Sequence, residues 1–351
     1  MGGLRCGIYD EKYSQDMMIF RTRVHWALLV LGLVFIFTLP LYLSVHWIYM
    51  VNLIGIMVVA VQGLNILIGY TGQINIGHAA FMAVGAYTCA LVSIHFKFPF
   101  LLALLCGGIS AGLVGIVFGL PSLRVKGFYL AITTLAAQFI IIALIINGWP
   151  DLTKGVRALL VPHFQLGGRS FESQQEMLFI IMPIAIIMVY FAKNIVRTGV
   201  GRALIAIRDN DLAAEVMGIN IFRYKLLSFF VCSFYAGIAG GLWAHWMGAI
   251  NYEHFDLVKS IWFLGMLVVG GMGSITGAVF GSIFIILLDD AVRLYVAPTF
   301  AAMGLEAVRS SALSPVVFGI VIVVFLIFEP RGLAHLWEIL KTRYRLRPFS
   351  H

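Results

Sequence analysis

Apolar runs of membrane-crossing length recur along the chain, separated by short polar or charged gaps. They fall at residues 24–45, 47–70, 77–94, 99–120, 128–147, 177–192, 226–248, 257–271, 274–296 and 313–328. A helix rises about 1.5 Å per residue and the bilayer core is about 30 Å thick, so roughly 20 apolar residues make one crossing. The pattern predicts an all-α polytopic membrane protein with about ten transmembrane helices.

Composition sharpens that expectation. Of 351 residues, 61% are hydrophobic and 11% charged, against roughly 45–50% and 25% in an ordinary soluble domain. A globular core cannot hide that much apolar surface, so lipid is the solvent to reason with. The 36 glycines suit helices that pack by close backbone approach. The formal charge of +8 does not imply nucleic acid, because no soluble basic module with stacking aromatics is present. Cys6, Cys89, Cys106 and Cys232 stand singly without metal or redox spacing, and are read as small buried hydrophobes.

Lys and Arg accumulate in cytoplasmic loops. With the amino terminus inside, 4 precede the first span, 2 are Arg124 and Lys126, 6 lie within 193–225 and 5 follow residue 328, together 17 of the 24. Both termini are therefore expected in the cytoplasm. The implied division is a cytoplasmic segment 1–23, one transmembrane domain 24–328 and a basic cytoplasmic tail 329–351. The hydrophilic start, with no cleavage pattern behind the first apolar run, reads as a retained span and not a signal peptide. Residues 148–176, with Trp149, Pro150, Asp151 and a Gly167-Gly168 turn, read as an external loop.

The gap 193–225 holds nine charged residues in 33 positions. At roughly 2.5–3.5 kcal/mol per charge at bilayer depth it cannot be buried in lipid. Within it, Gly201 through Arg208 is a short amphipathic stretch containing Arg202. Asp209-Asn210-Asp211 then offers N-caps to the segment from Leu212 to Met217, which Gly218 can end. The spacing predicts a helix–turn–helix at the membrane face. Ala213 and Ala214, with Gly218 four positions after the latter, give a smooth surface flanked by charges, better suited to docking than to mere connection.

The spacing Ala-Ala-x-x-x-Gly in such a loop resembles the coupling motif of ABC importer permeases, where the loop sits in a cleft of the ATPase subunit. The fuller string from Gly201-Arg202-Ala203 to Gly218-Ile219-Asn220 is similar to the permeases of branched-chain amino-acid importers, the LivM type. In the wider motif an acidic residue often precedes the two alanines; here Leu212 stands there.

A second signature interrupts the apolar pattern. Between the second and third runs lies Gly63-Leu64-Asn65, then Tyr70-Thr71-Gly72-Gln73-Ile74-Asn75-Ile76-Gly77-His78-Ala79-Ala80-Phe81. In lipid, irregular backbone is tolerated only where protein or a water-filled cavity satisfies the freed N–H and C=O groups. Gln62, Asn65, Thr71, Gly72, Gln73, Asn75, Gly77 and His78 are candidates for lining a translocation pathway through a broken helix. A tight cytoplasmic turn is the alternative. The phrase resembles the strongest signature of the LivM-type family. Further matching strings are Leu120-Pro121-Ser122-Leu123-Arg124 leading to Tyr129-Leu130-Ala131-Ile132-Thr133-Thr134-Leu135, then Gly270-Gly271-Met272-Gly273-Ser274, then Pro330-Arg331-Gly332-Leu333. In the outer loop, Lys154 and Arg157 stand where the family commonly shows a threonine followed by several glycines.

Enzyme chemistry finds no footing. There is no phosphate-binding G-x-x-x-x-G-K-[ST] loop. Gly108-Ile109-Ser110-Ala111-Gly112 matches the nucleophile-elbow pattern, but inside an apolar run, where with Gly115 and Gly119 it reads as a packing face, like Gly237 with Gly241 and Gly277 with Gly281. Asp289 and Asp290 are adjacent and so diverge by about 100° on one helix; Asp289 with Arg293 at i+4 reads as an ion pair.

The resemblance implies an ABC importer permease bundle of about ten helices with broken or re-entrant segments, in a bacterial inner membrane. It would bind no cofactor itself, ATP being used by two ATPase subunits. A second, LivH-like permease and a periplasmic binding protein would complete the importer. The coupling loop would comprise Gly201, Arg202, Arg208, Asp209, Asp211, Ala213, Ala214 and Gly218. Expected solutes are branched-chain or other hydrophobic amino acids, or a related small amide or organic acid. An ion-coupled secondary transporter is the competing class, but it calls for midplane carboxylates or a His relay where this chain offers amides and hydroxyls.

Overall fold

The computed structural model describes residues 23–125, 127–166, 169–171, 173–296, 310–329 and 331–346. The segment 1–22 with Cys6, Lys126, the Gly167-Gly168 turn, Pro330 and residues 347–351 lie outside it. Each of the ten apolar runs becomes a helix. In chain order these are α1 (Arg23–Tyr42), α2 (Val45–Leu64), α3 (His78–His95), α4 (Phe100–Gly119), α5 (Phe128–Asn147) and α6 (Gln174–Arg197). The charged gap forms α7 (Gly199–Asp209) and α8 (Asp211–Val216). There follow α9 (Ile221–Met247), α10 (Leu257–Gly270), α11 (Ile275–Ala291), α12 (Ser310–Phe328) and a tail helix α13 (Gly332–Leu346).

Among the described residues, seven helices are individually long and apolar enough to cross a membrane. The others are α1, α12 and α10. With 14 residues, α10 spans only about 21 Å, short of a full crossing, and it stops at the glycine-rich break at 271–274. The tenfold count thus holds for helices, while the breaks make some of them partial crossings.

The centre of the bundle is α9, which packs against α4, α3 and α2. Close approach depends on glycine: a Cβ on Gly85 of α3 would collide with the backbone of Gly237 on α9, and one on Gly281 of α11 with the carbonyl of Met266 on α10. Gly112 and Gly115 face Phe230 and Ser233 of α9. Ser110 lies in mid-helix and donates to the Gly107 carbonyl at 2.9 Å, so the elbow-like string is a packing face. Asp289 pairs with Arg293 at 3.0 Å and Asp290 meets His46 at 3.1 Å; the two carboxylates diverge as expected. Cys89 and Cys232 are buried, and Cys106 is half-buried.

The loop 148–176 has more structure than its composition suggests. Leu159–Leu160 pairs antiparallel with Ala249–Ile250, and Phe164–Leu166 with Arg169–Phe171. The first pair ties this loop to the end of α9, opposite the end that carries α7 and α8.

Candidate functional site

The polar interruption begins as a change of helical pitch. After Leu64, α2 continues as a π-helix over Asn65–Tyr70. The exit is wound up by the Gly72 and Gln73 amides, donating to the carbonyls of Ile68 and Leu67 at 3.1 Å each. Gly72 adopts φ +72°, a left-handed conformation open to glycine, and the chain reverses there.

Beyond this reversal the chain descends back into the bundle. His78, the first residue of α3, is fully buried and bonds through Nε2 to the Ala60 carbonyl at 2.9 Å. Ala60 lies ten residues before Tyr70 on the preceding helix. Thus α3 starts well inside the bundle, and 73–77 is a re-entrant non-helical segment that ends at Gly77, with φ −96° and ψ 26°.

Several backbone amides along that descent have side-chain partners. Thr134 Oγ1 accepts from the Ile76 amide at 3.0 Å, Ser260 Oγ from Ala79 at 2.9 Å and Gln138 Oε1 from Ala80 at 2.9 Å. Asn75 Oδ1 accepts from Gly77 at 2.9 Å. His78 Nδ1 faces Cys232 Sγ at 3.5 Å. A Cβ on Gly77 would strike the Thr134 carbonyl, so this glycine permits α5 to seal the segment.

The second interruption, at 271–274, is clasped to the first. Asn65 Nδ2 donates to the Ser274 carbonyl at 3.0 Å while its Oδ1 accepts from the Gly273 amide at 2.9 Å; Gln62 Nε2 donates to the Ile275 carbonyl at 2.7 Å. Gly271 lies against the carbonyl of Arg331, and Gly332 against Gly271. Strings far apart in sequence, around Asn65, Thr134, Gly273 and Gly332, therefore form one contiguous unit.

The charged gap docks onto that unit. In α7, Gly201, Ala203, Leu204 and Ile207 are buried, whereas Arg202 is exposed. Asn210 caps α8, its side chain accepting from the Ala213 amide at 3.1 Å. Gly218, at φ +84°, closes the turn, with the Ile219 amide returning to the Ala214 carbonyl at 3.0 Å. Arg208 Nη1 donates to the Gly69 carbonyl at 2.8 Å, and its Nε and Nη2 to Asp209 Oδ1 at 3.1 Å each. Lys225 meets Asp211 at 3.7 Å. Thr71, Gly72, Gln73, Arg208, Asp209 and Asp211 line a shared cleft of about 340 Å³.

The sixteen candidate residues thus divide. Gln62, Asn65, Asn75, Gly77 and His78 are buried where helices break. Thr71, Gly72 and Gln73 share the cleft with Arg208, Asp209 and Asp211. Gly201 and Ala214 are packed inward, and Arg202, Ala213 and Gly218 face outward. Beside Ala213 and Gly218, the side chains of Leu212, Val216 and Met217 are 68%, 87% and 82% exposed. Thr134, Gln138, Ser260 and Cys232 were missed as contributors. The four-residue spacing of Thr134 and Gln138 put both on one face of an otherwise apolar helix, a signal available in the sequence.

Residues 44–326 match the family described as branched-chain amino acid transport system / permease component. The chain is 27% identical to the high-affinity branched-chain amino acid transport system permease protein LivM of Escherichia coli (strain K12), over 84% of this chain and 73% of that one. It is 26% identical to the probable LivM permease of Methanocaldococcus jannaschii, over 66% and 67% respectively. A shorter similarity, 34% identity over 30% of this chain and 28% of the relative, links it to the xylose transport system permease protein XylH of Escherichia coli (strain K12).

Proposed function

Because the chain belongs to the family of branched-chain amino acid transport permeases, we propose that it is the membrane-spanning subunit of an ATP-driven importer, moved by separate ATPase subunits docked on α8. The observation that carries this reading is the outer surface of α8. Leu212, Val216 and Met217 project from a charged, lipid-excluded segment, and a Cβ on Gly218 would meet nothing within 4 Å. Apolar side chains so exposed, next to small residues and ringed by charge, are the anatomy of a docking surface.

The orientation follows from charge. Arg124, Lys193, Arg197, Arg202, Arg208, Arg223, Lys225 and Arg331 flank helix ends on the side that carries α7 and α8, which supports a cytoplasmic position for that side. The transport step is then mechanical. Movement of the docked ATPase shifts α8 and α7, and Arg208 carries the shift to the Gly69 carbonyl of the π-helix. Asn65 ties that helix to the break before α11, so the two interruptions move together. A second related permease and an external binding protein complete the importer, and the carried solute is a branched-chain or other hydrophobic amino acid.

Co-expression with the cognate ATPase and solute uptake in proteoliposomes test this. Ala213→Arg, at an exposed position inside regular helix, places a long cation in the docking surface without touching the bundle, whereas Gly218→Arg would also strain a turn at φ +84°. Ala213→Arg should abolish both ATPase co-purification and ATP-driven uptake. Full uptake by this variant would overturn the coupling assignment.

A further inference from the structure

The tail helix α13 has two faces, and the bundle covers only part of one. Leu333, Leu336, Trp337 and Leu340 fall at i, i+3, i+4 and i+7, a single stripe along a helix. Beside that stripe Ala334 is buried against Gly271 and Gly277, at the break that precedes α11. Along it, however, Trp337 is 51% and Leu340 60% exposed. At about 100° per residue, Lys341 stands on one edge of the stripe and Arg343 on the other, and both are exposed. Glu338 is the one acidic residue of the helix, and Arg345 and Arg347 continue the basic run in the sequence.

The depth of this helix is that of a bilayer boundary. Trp337 meets the ring of Phe280 edge-on at 5.8 Å. Phe280 lies five residues into α11, about 7–8 Å from the break. Interfacial helices bury their apolar face about 5–10 Å into the zone between headgroups and acyl chains, and tryptophan is enriched at that level. The helix leading into it, α12, ends on Ile327 and Phe328, which are also exposed.

A second group of cations meets α13 from the bundle. Lys193 stands one turn before Arg197, the last residue of α6, and like charges at i and i+4 repel. Lys341 of α13 comes near enough to repel the Lys193 ammonium as well. None of the ion pairs recorded among the described residues takes Lys193, Lys341 or Arg343. Three cations from two helices therefore converge at one membrane boundary, beside an apolar stripe that no protein covers among the described residues. An anion carrying acyl chains satisfies both features together.

We propose that α13 is an interfacial helix which, with the end of α6, forms a site for an acidic phospholipid. The phosphodiester lies among Lys193, Arg197 and Lys341, and the acyl chains cover Leu336, Trp337 and Leu340. Arg343 reaches the headgroup layer from the other edge of the stripe. Free phosphate would satisfy the cations but leave the stripe bare. A soluble protein partner would have to reach Lys193 on a membrane-spanning helix.

The full-length chain is reconstituted in nanodiscs of equal phosphatidylglycerol and phosphatidylcholine, released into mild detergent, and its retained lipids are counted by native mass spectrometry. Phosphatidylglycerol should be retained in clear excess, and an excess of inorganic phosphate should not displace it. Lys193→Gln and Lys341→Gln should each lower that preference by up to about fivefold, as for one cation at an anionic surface. Arg157→Gln, an exposed cation of the loop 148–176, should leave it unchanged. Thermal unfolding of each variant reports whether it is folded. An independent readout needs no charge change: the fluorescence of Trp337, taken as the difference between the wild type and Trp337→Phe, should be quenched by phospholipid brominated near the headgroup end of its acyl chains. Equal retention of the two lipids, an equal loss in Arg157→Gln, or an unquenched Trp337 would overturn the proposal. Displacement by inorganic phosphate would overturn it in favour of a free-anion site, and loss of ATPase co-purification in Lys341→Gln in favour of a protein interface.

Discussion

Replacing Arg208 by Met removes one guanidinium and keeps most of the apolar stem that lies against Gly72. Two interactions disappear. The pair with Asp209 joins side chains that are 39% and 64% exposed, and at that exposure it is worth at most about 1 kcal/mol. The bond from Nη1 to the Gly69 carbonyl, at 2.8 Å and part-buried, is the important loss. A hydrogen bond to a charged group contributes about 1.5–3 kcal/mol, and each 1.4 kcal/mol is a factor of ten. If this contact transmits the movement of α7 to the π-helix, uptake should fall about tenfold to a hundredfold. The surface of α8 proposed to dock the ATPase is untouched, so the ATPase should still co-purify and still hydrolyse ATP. The measured quantity is solute transported per ATP in proteoliposomes, which should drop with hydrolysis preserved. Arg208→Lys keeps the charge but not the planar fork, and should recover part of the ratio. Unchanged transport per ATP in Arg208→Met would refute the strut. Loss of ATPase co-purification would equally refute it, since Arg208 would then belong to the docking surface.

The geometry sets two further outcomes. Asn65→Leu strands the Gly273 N–H and the Ser274 C=O inside the bundle, at about 1–3 kcal/mol each; thermal unfolding in detergent should shift clearly downward, and an unchanged midpoint would show that the clasp between the two breaks contributes nothing. His254 sits in the turn before α10, where burial first, and the Lys259 cation second, hold its pKa below the usual 6.5 against the opposing pull of Glu253. The folded chain therefore binds this proton less readily than the unfolded one, so the His254 contribution is complete above pH 6.5 and is lost as pH falls below it. Unfolding temperature should decline on acidification through that range, and His254→Gln should flatten the decline; an identical pH profile in the variant would exclude this residue as the source.

Much of the fold was legible because hydropathy reports a property local to each segment. The ten runs, the charged gap and the glycine packing faces all depend on near neighbours in sequence. The inward placement of Gln62 and Asn65 was legible for the same reason, since an amide in an apolar run has few other options. Their partners were not. Asn65 bonds the backbone of Gly273 and Ser274, and nothing local to either string names the other. The π-helix over Asn65–Tyr70 was equally hidden, since its apolar pattern continues that of α2 without a mark of the changed pitch. The outer strand pairs escaped notice because two- and three-residue strands carry no periodicity to detect.

The placement of the two breaks has a physical logic that bears on the transport reading. Freed N–H and C=O groups inside a membrane need partners, and an isolated break would have to recruit water. Here one break is the partner of the other: Asn65 supplies a donor and an acceptor to 273–274, and Gln62 a donor to Ile275. Such a joint is part-buried and consists of a few side-chain bonds, each of about 1 kcal/mol net, in place of a continuous helical ladder. It lies beside Arg208, whose Nη1 donates to the Gly69 carbonyl at 2.8 Å; on the proposed coupling route a push through α7 would reach this joint first. The interruption leading into 71–78 and the break at 271–274 thus share one set of side-chain bonds beside Arg208.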